Sequence, residues 1–132
     1  HYMAGSKNVC EFHGTLHKNH CLKCVKEYNL SEMLQKSGGV PRCDCGGIIK
    51  PDVVLYGESI PQEAFEKSIE AVENCDLLII GGTSLKVQPA ASLVTLTNAR
   101  NVVINKDRQE IETFAELSIN EPIGEVFSKI IL

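Results

Sequence analysis

Two pairs of cysteines carry the strongest chemical signal in this sequence, Cys21-x-x-Cys24 and Cys43-x-Cys45. A two-residue gap lets two thiolates grip one tetrahedral ion, and a second pair completes the four ligands. Eighteen residues lie between Cys24 and Cys43, within the spacing of roughly 15–20 that zinc-ribbon sites use. The second pair has one intervening residue instead of two, which narrows its bite. Gly46-Gly47 follows directly and allows the backbone to turn tightly under a metal. A disulfide, or thiols that are simply buried, is the plain alternative. Four thiolates around zinc would leave no open position for water, so such a metal holds structure and does no chemistry.

Three other groups have chemical potential, each with an ordinary reading beside it. His13 stands in Phe12-His13-Gly14, one of four histidines in the chain. Imidazole can take a proton near neutral pH, although a histidine taken alone is more often structural. His17 and His20 lie near the cysteines as spare ligands that a complete tetrahedron does not need. Gly81-Gly82-Thr83-Ser84 follows an apolar run and combines close backbone approach with two hydroxyls; a glycine pair there is also ordinary turn geometry. Pro51 to Glu58 reads as an extended segment, with Val53-Val54-Leu55-Tyr56 as a short strand after a proline.

Composition narrows the remaining classes. With 132 residues and 43% apolar content the chain is about one domain, with a modest core. A net charge of −4 provides no basic field for nucleic acid. No run of about 18 apolar residues is present to span a membrane. The first residues, His1 to Lys7, lack the apolar core of a signal peptide. Paired cysteines in such a chain favour metal over disulfides and a reducing cytoplasm. Cys10 and Cys75 are then expected to be small buried apolar residues. The glutamates of 61–74 (Glu63, Glu66, Glu70 and Glu73) read as a solvated helix face.

The elements that must position these groups fall into two styles. Residues 16–49 are rich in Cys, Lys, His and Gly with little apolar periodicity, as suits a metal-held module with little core. Within it Ser31 to Lys36 reads as a short helix ended by Gly38-Gly39 and Pro41. Pro61 opens a helix with Ala64, Phe65, Ile69, Ala71 and Val72 near a 3.6-residue period. Asp76 to Ile80 is a continuous apolar run, as expected of a strand covered on both faces. Pro89 to Leu96 starts the next helix, Asn101 to Asn105 is a second buried strand, and Leu117 to Ile119 a third. A last helix follows Pro122. Alternating strands and helices of this kind signal a parallel sheet flanked by helices.

Taken in order, Glu11-Phe12-His13-Gly14-Thr15, the two cysteine pairs, Pro51 to Glu58 and Gly81-Gly82-Thr83-Ser84-Leu85 resemble the sirtuins, NAD-dependent protein deacylases. The resemblance runs over nearly the whole chain. It implies an α/β fold: part of a Rossmann-like doubly wound parallel sheet, residues 1–15 and 50–132, with an inserted zinc-ribbon module, residues 16–49. It also implies that the family's amino-terminal part, with its first glycine-rich turn, precedes His1 and is missing, so that this segment of the same enzyme would be a partner.

By the same resemblance His13 is the catalytic base that acts on a ribose hydroxyl after nicotinamide leaves. Gly82, Thr83 and Ser84, then Asn105 and Lys106, and Ile123 become NAD contacts. Val54, Tyr56, Gly57 and Glu58 on one side, and Val87 on the other, become the cleft for an acyl-lysine peptide added as a strand. Tyr56 stands where the family more often has Phe. Cys21, Cys24, Cys43 and Cys45 become the structural zinc site. The implied activity is NAD-dependent protein-lysine deacylation. Its alternatives are NAD-dependent protein ADP-ribosylation, and an inactive zinc-ribbon fragment acting as a binding module.

Overall fold

The computed structural model describes residues 1–36, 38–108 and 115–130. They fall into two compact units, His1–Phe65 and Glu66–Leu132.

The first unit is built on a three-stranded antiparallel sheet. Its strands are β1 (Gly14–Cys21), β2 (Glu27–Asn29) and β3 (Ile49–Val53), in the order β2-β1-β3. Pro51 is tolerated because β3 is an edge strand, where a missing N–H costs no ladder bond. At the end of β1 the side chains alternate: Asn19 and Cys21 are buried, His20 between them is not. The register shifts between Thr15 and Asn19, so only this end reads as a clean two-residue period.

Helix α1 (Leu30–Gln35) starts in a capping box. The Glu32 N–H donates to Asn29 Oδ1 at 2.9 Å, and the Asn29 N–H donates to Glu32 Oε2 at 2.7 Å. Cys21, Tyr28, Cys43 and Ile49 form the core of this unit, with Met33 packed against them. Residues 16–49 therefore do have a core, and half of its members are cysteines.

β3 ends at Val53, and Val54 to Tyr56 do not continue it as the expected strand. A tight turn takes over: the Glu58 N–H donates to the Leu55 carbonyl at 3.0 Å, and the Glu58 carboxylate accepts from the Leu55 N–H at 2.9 Å. Helix α2 (Gln62–Glu73) begins after Pro61 and runs from the first unit into the second.

The second unit carries a parallel sheet of β4 (Leu77–Gly81), β5 (Arg100–Ile104) and β6 (Leu117–Ile119), in that order. A 3-10 helix over Ala90–Thr95 connects β4 to β5, and α3 (Ile123–Ser128) follows β6. The expected helix after Pro89 is 3-10; within it Ser92 donates to Gln88 Oε1 at 2.6 Å, and Thr95 to the Ser92 carbonyl at 2.8 Å. Ile80, Ala91, Val103 and Ile104 are buried.

Two expectations fail here. β4 is not covered on both faces, since Leu77 and Ile79 are 49% and 46% exposed. The register sets Leu117, also exposed, in the same row as Ile79 across Val102. An apolar run shows that a strand is compatible with burial, but what lies on each face is decided by other elements. Cys10 is also exposed, and its thiol donates to the Ala64 carbonyl at 3.2 Å. Cys75 is half-buried and its thiol donates to the Val72 carbonyl at 3.1 Å. Both use the thiol as a donor to helix carbonyls, a use that apolar counting overlooks. Among the described residues no helix is long and apolar enough to cross a membrane.

Candidate functional site

Two knuckles bring the four paired cysteines together. Cys21 ends β1, and the chain turns back so that the Val25 N–H reaches the Cys21 carbonyl at 2.9 Å. The second knuckle closes with the Cys43 N–H on the Gly47 carbonyl and the Gly46 N–H on the Cys43 carbonyl, both at 2.8 Å. A backbone bond joins the two, from the Leu22 N–H to the Ile48 carbonyl at 2.9 Å, and Lys23 Nζ donates to the Cys45 carbonyl at 3.4 Å. Both glycines of the second knuckle suit it, for different reasons. Gly46 has φ +80°, while a Cβ on Gly47 would sit 2.6 Å from Cys21 Sγ and 2.7 Å from Lys23 Cβ.

All four sulfurs lie within 4.8 Å of one another. Cys21–Cys45 and Cys24–Cys43 are 3.5 Å apart and Cys24–Cys45 3.4 Å. Zn–S bonds of about 2.3 Å in a tetrahedron require sulfur edges of about 3.8 Å, whereas a disulfide needs about 2.05 Å. The cluster fits a four-thiolate metal site and excludes bridges. The narrow Cys43-x-Cys45 bite closes without opening the tetrahedron.

The surroundings favour thiolate at Cys43 but not at every ligand: Cys24, despite the Lys26 N–H that lowers it, is pushed up to about 12 by the neighbouring Cys45, Cys43 and Cys21 sulfurs. The Cys45 N–H and then the Tyr28 hydroxyl, 3.0 Å away, pull the Cys43 thiol down to about 6. The same bond pushes Tyr28 up to about 12, so the shared proton stays on the phenol. Asp44, between two ligands, is lowered to about 2 by the Lys36 and Lys26 ammonium groups. His20 lies outside the group of close ligand atoms, which the four cysteines make alone among the described residues, and its Nδ1 is 2.5 Å from Asp52 Oδ1.

His13 is exposed just before β1. Its ring meets Phe12 edge-on at 5.2 Å, and its carbonyl accepts from the Val54 N–H at 3.0 Å. The glycine after it is dictated by packing: Gly14 has φ +78°, and a Cβ there would collide with the Asp52 carbonyl. The His-Gly pair is thus fixed beside the segment that holds Val54. Of that segment, Tyr56 is 97% exposed, and Gly57 at φ +87° shapes the turn. Lys50, which the sequence did not single out, donates to the Val53 carbonyl and to Glu58 Oε2, each at 2.9 Å. Glu58 is held below the ordinary carboxylate value by the Leu55 N–H and then by Lys50.

In the second unit the carboxyl ends of the parallel strands gather the other residues singled out, at the place where such sheets bind ligands. Gly82 has φ +62°, and its N–H donates to the Ile104 carbonyl at 3.0 Å. Asn105 Nδ2 donates to the Thr83 carbonyl at 2.6 Å, and Thr83 Oγ1 accepts from the Leu85 N–H at 3.1 Å. Ile123 packs so closely on Gly81 that a Cβ there would collide with it, which gives Gly81 a role that turn chemistry alone does not reveal. Ser84, Val87 and Lys106 are exposed around this cluster and make no part of its hydrogen bonding with Thr83 and Asn105.

A family-wide profile described as the Sir2 family matches residues 1–89. A Clostridium acetobutylicum protein named NAD-dependent protein deacetylase is 42% identical over 133 residues, covering 99% of this chain and 54% of that protein. A Clostridium perfringens protein of the same name is 46% identical over 134 residues, covering 99% and 54%. Among solved structures, Sir2 with a p53 peptide and NAD+ superposes with a TM-score of 0.91 at 34% identity, covering 98% of this chain and 56% of that one. Sir2Tm bound to a propionylated peptide gives 0.91 at 34% identity, covering 98% and 57%. The chain spans about half the length of the relatives it matches. It belongs to the Sir2 family, the sirtuins.

Proposed function

We propose that these residues serve NAD-dependent protein-lysine deacylation, most simply deacetylation, yielding nicotinamide, O-acyl-ADP-ribose and free lysine. The observation that carries this reading is the identity of 42–46% over nearly the whole chain to proteins named NAD-dependent protein deacetylase, in a chain that keeps an exposed His13 beside Val54. The functional division runs as residues 1–15 and 50–132 for cofactor and substrate, and 16–49 for the metal. A reducing compartment, the cytoplasm, suits the four thiols.

NAD, as co-substrate, supplies the ribose that receives the acyl group and the nicotinamide that leaves. Gly82, Thr83 and Ser84 offer backbone approach and hydroxyls to it. Asn105 and Lys106 meet the adenosine ribose, and Ile123 covers the adenine. Val54, Tyr56, Gly57, Glu58 and Val87 bind the acyl-lysine peptide, which adds as a strand. His13 takes a proton from a ribose hydroxyl so that its oxygen can attack the acyl carbon. Zinc on Cys21, Cys24, Cys43 and Cys45 holds the module.

The test is incubation of the chain, completed to the length of its relatives, with NAD and acetylated or unmodified peptide. Mass spectrometry should find O-acetyl-ADP-ribose with the acetylated peptide only. ADP-ribosylated protein, or no product, would replace this reading with transfer or with a binding module.

A further inference from the structure

Cys43-x-Cys45 has one residue fewer between its ligands than the Cys21 pair, yet its sulfurs sit as close to the others as those of a regular site. The structure around it shows what holds that knuckle. Tyr28 is 5% exposed on β2, and its hydroxyl donates to Cys43 Sγ at 3.0 Å. Among the described residues no other ligand sulfur receives a side-chain donor from outside the four cysteines.

The Tyr28 ring is itself gripped. Lys26 Nζ lies 5.2 Å and Lys36 Nζ 5.6 Å from its centroid. Both ammonium groups converge on Asp44, the lone residue between the two ligands: Lys26 on Oδ2 at 2.9 Å and Lys36 on Oδ1 at 2.8 Å. Such exposed pairs contribute little singly. Here they close a loop, with Cys43 bonded to the Tyr28 hydroxyl, the ring under two cations, and those cations on the residue next to Cys43.

We propose that Tyr28 is a positioning residue for the metal site, whose buried hydroxyl holds the Cys43 thiolate in its ligating orientation and strengthens metal binding at the narrow knuckle. The proposal rests on the zinc reading of the four cysteines. A phenol donating to a thiolate is a charge-assisted bond in a buried setting. Partners of this kind, behind the ligands, orient them and tune the metal, and losing one typically costs 10–100-fold in metal affinity. The donor also withdraws electron density from one sulfur of a site that carries four negative ligands against a charge of two.

Tyr28→Phe removes the oxygen and keeps the ring under its two lysines. Zinc affinity is read by competition with a chromogenic chelator, and ligand electronics from the sulfur-to-metal charge-transfer band of the cobalt(II) form. We expect zinc to bind about 10–100-fold more weakly and the band to move to lower energy, because a sulfur without its donor gives up charge more readily. The band reports only molecules that hold metal, so partial unfolding does not mimic the shift. Lys36→Met, which unties Asp44 and leaves the hydroxyl in place, should leave the band where it is. Unchanged affinity and band in Tyr28→Phe would show that the hydroxyl merely fills the core, overturning the proposal while zinc stands. A wild-type chain that takes up neither metal would instead overturn the zinc reading, and the proposal with it.

Discussion

The Lys50 ammonium group bridges the end of β3 to the turn that follows, 2.9 Å from Glu58 Oε2 and 2.9 Å from the Val53 carbonyl oxygen. Glu58 in turn accepts the Leu55 N–H, so one ion pair fixes the path of Val54 to Gly57. These are the residues proposed to receive the peptide, and the pair acts beside the Val54 N–H bond to the His13 carbonyl and the Glu58 N–H bond to the Leu55 carbonyl.

That arrangement makes stability depend on pH in a defined direction. Glu58 is lowered from an ordinary value of 4.5, first by the Leu55 N–H and then by Lys50. A carboxyl depressed in the folded state contributes stability that is present above its unfolded value and lost as pH falls through its folded value. The melting temperature of wild type should therefore exceed that of Glu58→Gln by a constant margin between pH 6 and 8. The margin should shrink as pH falls below 4.5. Thermal scans of both proteins across pH 3–8 check this, and a margin that grows on acidification would show that the pair does not act this way.

Gly47 and Gly46 should respond differently to alanine. At Gly47 the new Cβ meets Cys21 Sγ at 2.6 Å, so Gly47→Ala should displace a ligand and lose zinc. At Gly46 nothing lies within 4 Å and only the φ of +80° resists, a cost on the order of 1–2 kcal/mol of backbone strain. Zinc stoichiometry by atomic absorption should stay near one for Gly46→Ala and fall well below it for Gly47→Ala. Cys43→Ser should lose the metal outright and expose residues 16–49 to proteolysis, since such modules owe their folding to the ion.

Asn105 ties β5 to the glycine turn through its 2.6 Å bond to the Thr83 carbonyl. Asn105→Ala removes that tie and a proposed ribose contact. A lost hydrogen bond of about 1–1.5 kcal/mol corresponds to roughly a five- to tenfold weaker NAD interaction. Calorimetric titration of NAD into the chain completed to its relatives' length measures it. Equal affinity in the variant would remove Asn105 from the cofactor site.

His13→Ala in the same completed chain should lower deacylation by about 100-fold or more, the usual order for a lost general base, with peptide affinity nearly unchanged. Because His13 is exposed and only its carbonyl is bonded to Val54, the substitution leaves the backbone link to the peptide segment intact. Wild-type turnover at saturating NAD would show that another group takes the proton.

Spacing and apolar runs were enough to expose the four cysteines, the Gly46-Gly47 turn and the three strands that pair in parallel. Each is a local property: ligand geometry, left-handed φ and apolar runs leave a periodic mark on neighbouring residues. β1 left no such mark, because Lys18, Asn19 and His20 are polar and the register shift breaks the two-residue alternation. Tyr28 was equally silent, and so was the packing role of Gly81, which read only as a turn glycine. Their roles depend on partners far along the chain, Tyr28 on Cys43 and Gly81 on Ile123, and no local pattern records a contact made across such distances. The exposed side chains of Leu77, Ile79 and Leu117 show the same limit from the other side. Sequence determines that a strand is apolar, whereas only tertiary packing decides which of its faces meets another element, since burial is a property of both surfaces.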